Sequence, residues 1–354
     1  MDRIRVGLAG LGTIANVMHL PGLKAMEEMG KVELVCGCDI SEPMARATGE
    51  KFGISRIYTD LDTMLAGEEF DLLVNLTRIP DHFSVTLAAL KAGRNVYTQK
   101  PMATSVEEAT ILIEEAKRRG LELASAPEHP VRPAIAKVRS MVEAGELGKV
   151  AFAKVRSSHF GPETHEVPRD STWFYKSGSS PILDLGVHGL SMITAMLGPA
   201  KRISCLSGRT RDVRHHTAGP FKGKRIDVEI NDNSLLTLDF GGATFGIVDA
   251  TFCVAASKAP EIEVYGSEGT LAVVRRGLGQ SLEWYQPRKL EWVEMELPET
   301  PPVRDLGVLH MVNHLLEGSE LLLTGERGRH LVEIMAKAVD AADTSCTLDL
   351  TTSY

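Results

Sequence analysis

IRVGLAGLGTIA, residues 4–15, is the stretch that decides the fold of this protein. Apolar residues alternate with others from Ile4 to Leu8, which predicts a half-buried strand. Small residues follow from Gly10 to Ala15 at the spacing G-x-G-x-x-A, and a helical pattern comes next. A strand, a glycine-rich turn and a helix in this order are the fingerprint of a dinucleotide-binding loop.

Each position of this loop has a predicted task. Gly10 permits the tight turn, and Gly12 lets the backbone approach a pyrophosphate, where a Cβ atom would collide. Ala15 lets the helix lie close to the strand. The first N–H groups of the helix and the positive end of its dipole face the phosphates. We therefore predict cofactor contacts from Gly10, Gly12, Thr13, Ile14 and Ala15.

An acidic residue follows at the position that selects the cofactor. A strand is predicted over 32–38, and Asp39 comes directly after it, 24 residues beyond Ala15. A carboxylate there hydrogen-bonds the hydroxyls of the adenosine ribose and repels a 2′-phosphate, which favours NAD over NADP. Asp39 could also cap the helix that begins near Glu42, and the two roles are compatible.

Strand and helix patterns alternate from the N-terminus to about residue 126. This rhythm predicts an α/β domain with a doubly wound parallel sheet, a Rossmann domain, over residues 1–126. The alternation stops near Pro127, so residues 127–354 are predicted to form a second domain.

The second domain reads differently. Residues 159–180 are rich in His, Gly, Pro, Ser and aromatic residues, and a loop of that length usually has a binding role. An apolar helix is predicted over 181–197. Short strands separated by Gly, Asn and Pro fill 203–297, and two helices follow, over about 306–323 and 328–342. This pattern predicts an α/β domain with a large, open, mostly antiparallel sheet.

Composition excludes several classes of function. The net charge is −8 without a basic block, so nucleic acid is not an expected partner. No apolar run reaches membrane-spanning length, and the first residues carry no signal-peptide pattern, which predicts a cytoplasmic protein. The five cysteines are scattered, and the pair Cys36 and Cys38 lacks the further ligands that a zinc site needs, so no metal is predicted.

Two further motifs make the chain resemble a known family. At Gln99-Lys100-Pro101 and at ILDLGVH, residues 182–188, the sequence resembles the Gfo/Idh/MocA oxidoreductases, relatives of glucose–fructose oxidoreductase and inositol dehydrogenase. The resemblance implies a Rossmann domain, then an α/β domain whose large sheet often joins subunits. It also implies NAD(P)-dependent oxidation or reduction of sugars, polyols and related alcohols. Gln99 stands where the family usually has glutamate, which removes a carboxylate beside Lys100.

The predicted catalytic residues are Lys100, Asp184 and His188. Asp184 and His188 are four apart on a predicted helix and would share one face, so the carboxylate could set the tautomer of the imidazole. Lys100 follows a parallel strand, at the edge where such sheets bind ligands, and its ammonium could stabilise an alkoxide. Alone, His188 would be read as a core histidine and Lys100 as a charged strand end. Which of them takes the proton stays open.

Further contacts are predicted from neighbouring segments. Thr77, His82 and Gln99, together with Lys100, follow strands of the first domain and are predicted to contact the cofactor. His82 could instead only begin a helix. His159 and Trp173 lie in the long loop and are predicted to contact substrate, in addition to Lys100, Asp184 and His188.

These residues support one leading hypothesis and two alternatives. The first is an NAD-dependent oxidoreductase that transfers a hydride between nicotinamide and a hydroxyl or keto group of a sugar, inositol or similar polyol. The second is a lyase or hydrolase of glycosides that oxidises its substrate transiently with a retained NAD. The third is a non-enzymatic sensor of NAD or sugar.

The second-domain sheet also predicts an assembly. Leu236 and Leu238 face one side of their strand and suit a core, whereas Leu235 faces the other side. A broad sheet face that mixes apolar and polar residues suits subunit contact. We therefore predict a homodimer or homotetramer.

Overall fold

The structure is a computed structural model that describes residues 2–167, 170–276, 279–299 and 302–354. The chain forms two compact units. The first consists of Met1–Arg132, Glu299–Val332 and Thr352–Tyr354, and the second of Pro133–Pro298 and Glu333–Thr351. The boundary predicted between residues 126 and 127 stays a prediction.

Strands and helices alternate in the first part of the chain, as predicted. The strands are β1 (Ile4–Ala9), β2 (Val32–Cys38), β3 (Arg56–Tyr58), β4 (Leu72–Asn75), β5 (Asn95–Thr98), β6 (Leu123–Ser125), β7 (Val150–Ser158), β8 (Arg202–Gly208), β9 (Val213–His215), β10 (Arg225–Asp227), β11 (Asn233–Gly241), β12 (Thr244–Thr251), β13 (Ile262–Gly266), β14 (Gly269–Arg276), β15 (Gly279–Gln286), β16 (Glu291–Met295) and β17 (Leu348–Asp349). The helices are α1 (Leu20–Glu28), α2 (Glu42–Phe52), α3 (Leu61–Gly67), α4 (His82–Lys91), α5 (Val106–Arg119), α6 (Pro133–Glu143), α7 (Val187–Leu197), α8 (Leu306–Glu317) and α9 (Gly325–Thr344). Within the described parts of the chain, no helix is long and apolar enough to cross a membrane.

The first unit is built on a parallel sheet with strand order β3-β2-β1-β4-β5-β6. Strand order reverses between β1 and β4. In such sheets the loops after these two strands diverge, and the crevice at the carboxyl ends of the strands binds the ligand. The sequence prediction of a doubly wound parallel sheet is therefore confirmed.

The core of this unit follows the alternation seen in the sequence. Ile4, Val6 and Leu8 are fully buried, and they share one apolar cluster with Val308 and Met311 of α8. Helix α8 stops at Glu317, earlier than the predicted end near residue 323. Gly318 follows with a φ of 68°, and a left-handed glycine ends a helix at that point.

The second unit contains a nine-stranded sheet with order β16-β15-β14-β13-β7-β12-β11-β8-β17. Neighbouring strands are antiparallel except β7 and β12, which are parallel. The prediction of a large, mostly antiparallel sheet is confirmed. The short strands predicted over 203–297 do not fill that range: β10 ends at Asp227 and pairs with β9 in a separate ribbon, while Val228 and Ile230 enter an apolar cluster with Phe252.

The two faces of this sheet differ as the alternation predicts. Leu236 and Leu238 are fully buried, whereas Leu235 is 47% exposed and its cross-strand partner Leu206 is 74% exposed. On the covered face, a Cβ atom at Gly189 of α7 would lie 2.5 Å from a Val248 methyl group. Glycine is needed there because α7 approaches the sheet so closely.

Candidate active site

The turn after β1 is fixed by close packing against the end of β4. Gly10 has a φ of +87°, and a Cβ atom there would lie 2.6 Å from the carbonyl of Leu76. Its N–H donates to the carbonyl of Cys38, at the end of β2. Position 10 therefore requires glycine for the fold itself, before any ligand is considered.

Gly12 lies in a different environment. The nearest atom to an added Cβ at this position, beyond its chain neighbours, is the sulfur of Met44 at 3.9 Å. The protein alone would accept a side chain there, so the glycine leaves an open space beside the backbone. That space fits the approach of a pyrophosphate to the N–H groups of the turn and the helix.

The helix predicted after this turn is present and contains a π-helical segment near its start. This segment covers Ala15–His19, and Leu20 N–H donates to the carbonyl of Ala15. Thr13 and Ile14 are exposed, whereas Ala15 is fully buried and permits the close packing predicted for it.

Asn16 is a residue that the sequence analysis missed. Its amide nitrogen Nδ2 donates to the carbonyls of Leu11 and Gly12 at 2.9 and 3.1 Å, and it lies 3.0 Å from Thr48 Oγ1. These contacts fix the backbone of the glycine turn. The sequence offered one signal for this role, namely that an asparagine directly follows the glycine motif.

Asp39 is tied to the same turn. One carboxylate oxygen accepts from Leu11 N at 2.8 Å, and the other accepts from Ser41 N at 2.9 Å. Helix α2 begins at Glu42, after Ser41, so the carboxylate fixes the turn before the helix and bonds no N–H inside it. Each oxygen keeps a lone pair that a ribose hydroxyl can use.

The loop after β4 is held by a buried amide. Asn75 donates to the carbonyl of His82 and to Thr86, and its oxygen accepts from the hydroxyl of Thr77 at 2.7 Å. His82 begins α4 and is buried, with Nδ1 2.7 Å from the carbonyl of Pro101. Its other nitrogen, Nε2, lies 3.1 Å from the carbonyl of Thr77. Burial lowers the pKa of His82.

This geometry makes His82 a bridge between the loops after β4 and β5. Its direct contact with a cofactor stays a prediction, as does that of Thr77. Gln99 and Lys100 follow β5 directly and are half-buried, and the backbone N–H of Gln99 donates to the carbonyl of Asn75. The side chain of Gln99 contacts His19, a buried residue that the sequence analysis also missed.

In the second unit, Asp184 lies in a π-helical segment, Ile182–Gly186, that leads into α7, where His188 lies in the first turn. A helix covers the predicted span 181–197, but this part of it is π-helical rather than α-helical. The hydroxyl of Ser157 on β7 donates to the carbonyl of Leu185 at 2.5 Å and accepts from Gly189 N at 3.2 Å. The hydroxyl thus replaces the α-helical hydrogen bond from Gly189 N to the carbonyl of Leu185. A side chain inserted in this way deforms a helix.

His159 and Asp184 lie close enough to interact electrostatically. The ring of His159 stacks on Phe252 with centroids 5.4 Å apart and meets the ring of His165 at 4.7 Å. Burial and the neighbouring His165 lower the pKa of His159, while the carboxylate of Asp184 opposes this shift. The lowered pKa favours the neutral imidazole, whose Nδ1 accepts from Gly161 N at 2.9 Å and whose Nε2–H can therefore donate.

Two residues of the long loop, Glu163 and Tyr175, are held by contacts around a buried cation, Arg214. Arg214 donates to Glu163 at 3.0 Å and to Asp232 at 2.8 Å, and Tyr175 donates to Glu163. No sequence motif links these residues, which come from separate segments of the chain. Trp173 is 49% exposed, and its ring stacks on Phe174 at 3.8 Å.

Comparison with known proteins gives matches over most of the chain. Residues 4–126 match the oxidoreductase family with an NAD-binding Rossmann fold, and residues 135–272 match the Gfo/Idh/MocA C-terminal domain. These matches confirm the resemblance predicted from the sequence motifs. They also confirm the predictions of an oxidoreductase and of an NAD-binding Rossmann domain.

Individual relatives are distant but cover the chain well. This chain is 26% identical to D-apiose dehydrogenase of Paraburkholderia graminis over 278 aligned residues. The aligned region covers 77% of this chain and 68% of that protein. The chain is 23% identical over 268 residues to myo-inositol 2-dehydrogenase of Thermotoga maritima, with 76% and 74% covered. An NAD binding oxidoreductase from Klebsiella pneumoniae shares the fold with a TM-score of 0.84, at 18% identity over 100% of both chains.

The open space at Gly12 generates a testable prediction. Gly12→Val should weaken NAD binding by at least about tenfold, or about 1.4 kcal/mol, because the side chain would fill the space that a pyrophosphate needs. The melting temperature should stay near that of the parent, since the space is empty of protein atoms to 3.9 Å. Gly208→Val, at a position with nothing within 4 Å, is the control. Unchanged NAD affinity by calorimetry in a folded Gly12→Val protein would contradict the prediction.

Proposed function

This chain belongs to the Gfo/Idh/MocA oxidoreductase family, and from that premise we propose that it is an NAD-dependent dehydrogenase or reductase of sugars, inositols or similar polyols. The observation that carries the proposal is the position of Lys100. It directly follows β5, at the carboxyl edge of the same parallel sheet whose strand β1 leads into the glycine turn. The relatives named D-apiose dehydrogenase and myo-inositol 2-dehydrogenase support a polyol as substrate.

The first unit supplies the proposed cofactor site. Gly10, Gly12, Thr13, Ile14 and Ala15 form the turn and helix start for the pyrophosphate. The carboxylate of Asp39, held by two backbone N–H groups, is the proposed acceptor for the ribose hydroxyls. A 2′-phosphate would bring a second negative charge against that carboxylate, which favours NAD over NADP. When bound, NAD accepts or returns the hydride.

Lys100 is the proposed partner of the reacting oxygen. An ammonium group beside a hydroxyl that is losing its hydride stabilises the developing alkoxide charge, and it stabilises the same charge when a carbonyl is reduced. Thr77, His82 and Gln99 are the proposed companions of Lys100 on the cofactor side. Thr77 bonds the side chain of Asn75, His82 contacts the carbonyls of Pro101 and Thr77, and Gln99 accepts from Lys100 N–H. These contacts keep the loops after β4 and β5 in place.

The proposed proton chemistry belongs to the second unit. His188 is the proposed proton carrier, with Asp184 as the carboxylate that favours its charged form. His159 and Trp173 are proposed substrate contacts. The Nε2–H of a neutral His159 can donate to a sugar hydroxyl, since Nδ1 accepts from Gly161 N, and the exposed ring of Trp173 offers an apolar face to a sugar ring. Lys100 remains the alternative proton carrier.

We also propose that the open face of the nine-stranded sheet joins copies of this chain into a homodimer or homotetramer. Leu206 and Leu235 lie opposite each other in register and are both exposed. Phe245 and Ile247 extend this apolar patch on β12. Water contact at such a patch is unfavourable, and a second copy would remove it.

The reaction is tested with NAD and a panel of polyols, sugars and glycosides. We expect net formation of NADH, followed by its absorbance, together with an oxidised product. Cleavage of a glycoside without net NADH would support the redox-cycling alternative instead. Absence of turnover on every member, with NAD bound, would contradict the proposal and favour a sensor.

The catalytic assignment is tested by two substitutions. Lys100→Ala and His188→Ala should each lower kcat by at least about a hundredfold, since positioned acid–base and electrostatic groups contribute about 10²–10⁴-fold. NAD affinity should change little, because neither residue is assigned to the pyrophosphate or ribose. Lys91→Ala and His215→Ala, both exposed, are the controls. If both test variants kept near-normal turnover while folded, the proposed site would be wrong.

The role of Asp39 in cofactor choice gives another prediction. The parent protein should bind NAD more tightly than NADP in calorimetric titrations. Asp39→Asn combined with Ile40→Arg should reverse the preference by about tenfold, or about 1.4 kcal/mol, because it removes the repulsion and adds a partner for the phosphate. Ile40 is exposed, so the arginine fits without repacking. Tighter NADP binding by the parent would refute the assignment.

The assembly prediction is checked by light scattering at micromolar protein concentration. We expect the mass of a dimer or tetramer for the parent and of a monomer for Leu206→Lys combined with Leu235→Lys. The double substitution places two cations on the proposed interface. Ile111→Lys, an exposed apolar position on α5, should leave the mass unchanged. A monomeric parent would count against the proposed interface.

A further inference from the structure

Three side chains of the first unit form a buried chain of hydrogen bonds that ends at Lys100. Asp305 Oδ2 lies 2.6 Å from His19 Nδ1, and His19 Nε2 lies 2.6 Å from the amide nitrogen of Gln99. The amide oxygen of Gln99 accepts from the backbone N–H of Lys100 at 3.3 Å. His19 and Asp305 are completely buried. No sequence motif connects these residues, which are far apart along the chain.

The two ends of this chain of hydrogen bonds, Asp305 and the N–H of Lys100, fix the direction of every bond between them. The backbone N–H of Lys100 can only donate, so the oxygen of Gln99 must face it and the NH₂ group must face His19. A ring nitrogen that faces an NH₂ group must accept. A neutral imidazole has one N–H, which therefore lies on Nδ1 and donates to the carboxylate of Asp305.

The remote end is anchored by the fold. Asp305 is the N-cap of α8, where its other oxygen accepts from Val308 N at 3.0 Å. The next residues are held too, because Gly307 N donates to Glu128 at 3.0 Å. The carboxylate therefore has little freedom to turn. A buried polar group without its partner costs free energy, so each member of the chain enforces the orientation of the next.

We propose that this relay makes Gln99 a positioning residue for Lys100, and that Asp305, acting through His19, sets the requirement for glutamine at position 99. A glutamate there would place a second acceptor against the ring, and a neutral imidazole cannot serve acceptors on both nitrogens. The relay fixes the amide so that its oxygen holds the backbone of Lys100. This inference rests on the proposed role of Lys100 in the reaction.

The tautomer of His19 is tested directly by nitrogen-resolved NMR of the whole protein, with the signal assigned by its loss in His19→Gln. We expect the proton on Nδ1 in the parent. In Asp305→Asn the amide oxygen must accept from Val308 N, so the NH₂ group faces His19 and donates to Nδ1. The proton of the ring should therefore move to Nε2. A parent ring protonated on Nε2, or on both nitrogens, would overturn the relay whatever the enzyme's activity.

The positioning role is tested with a reversal of the relay, using the substrate found in the panel above. Asp305→Asn and Gln99→Glu alone should each lower kcat by about ten- to a hundredfold, as expected when a catalytic group is slightly misplaced. KM for NAD should change less than kcat does, because Gln99 is only one of the proposed cofactor contacts and the others are untouched. The combination D305N/Q99E inverts both hydrogen bonds of His19: the amide at 305 donates to Nδ1, and Nε2–H donates to the carboxylate at 99. That carboxylate still accepts from Lys100 N–H, so kcat should recover to within about threefold of the parent.

Asp60→Asn is the matched control, since Asp60 is the N-cap of α3 and lies outside the relay. It should leave kcat unchanged. Single variants with parental kcat, or a double variant no better than the worse single variant, would overturn the positioning role. If Lys100→Ala kept its turnover while His19 stayed protonated on Nδ1, the proposed function would fail and the relay would stand, so the two failures are distinguishable.

Discussion

The close approach of the turn after β1 to the end of β4 is the constraint on which the cofactor-binding unit depends. Gly10 has no room for a side chain, because the carbonyl of Leu76 lies where a Cβ atom would be. With the turn pressed against β4, the backbone at Gly12 faces an open space. The N–H of Leu11 meets the carboxylate of Asp39. This one packing contact thus orients the backbone at Gly12 and the carboxylate of Asp39, the two groups proposed to bind the dinucleotide.

The second unit uses an inserted hydroxyl to shape its own motif. Ser157 occupies the place of one helical hydrogen bond, which leaves Asp184 in a π-helical turn and His188 in the α-helix that follows. Gly189 then allows that helix to lie against β7 and β12. The motif D-x-G-x-H is therefore partly a packing motif, and its geometry depends on a serine from a distant strand.

Buried polar groups support both units. Arg214 lies between Glu163 and Asp232, so its charge is paired on both sides, and the pKa of its guanidinium is raised even though burial opposes this. In the first unit the Asp305–His19–Gln99 relay has donors and acceptors matched throughout. Removing one member of such a set leaves the others buried and unpaired, which costs more than the pair itself contributes. These sets therefore restrict how the loops beside them can be arranged.

The sequence by itself determined the parallel sheet, its glycine turn, the antiparallel character of the second sheet and the family, because these depend on local alternation and on motifs of fixed spacing. It also predicted that Lys100 follows a strand and that Asp39 follows another. Only the tertiary structure decided that α8 packs in the core with Ile4, that Asp184 lies in a π-helical turn, and that His19 joins Asp305 to Gln99. These features depend on contacts between residues far apart in the chain, and no local pattern encodes which distant side chain completes a hydrogen bond.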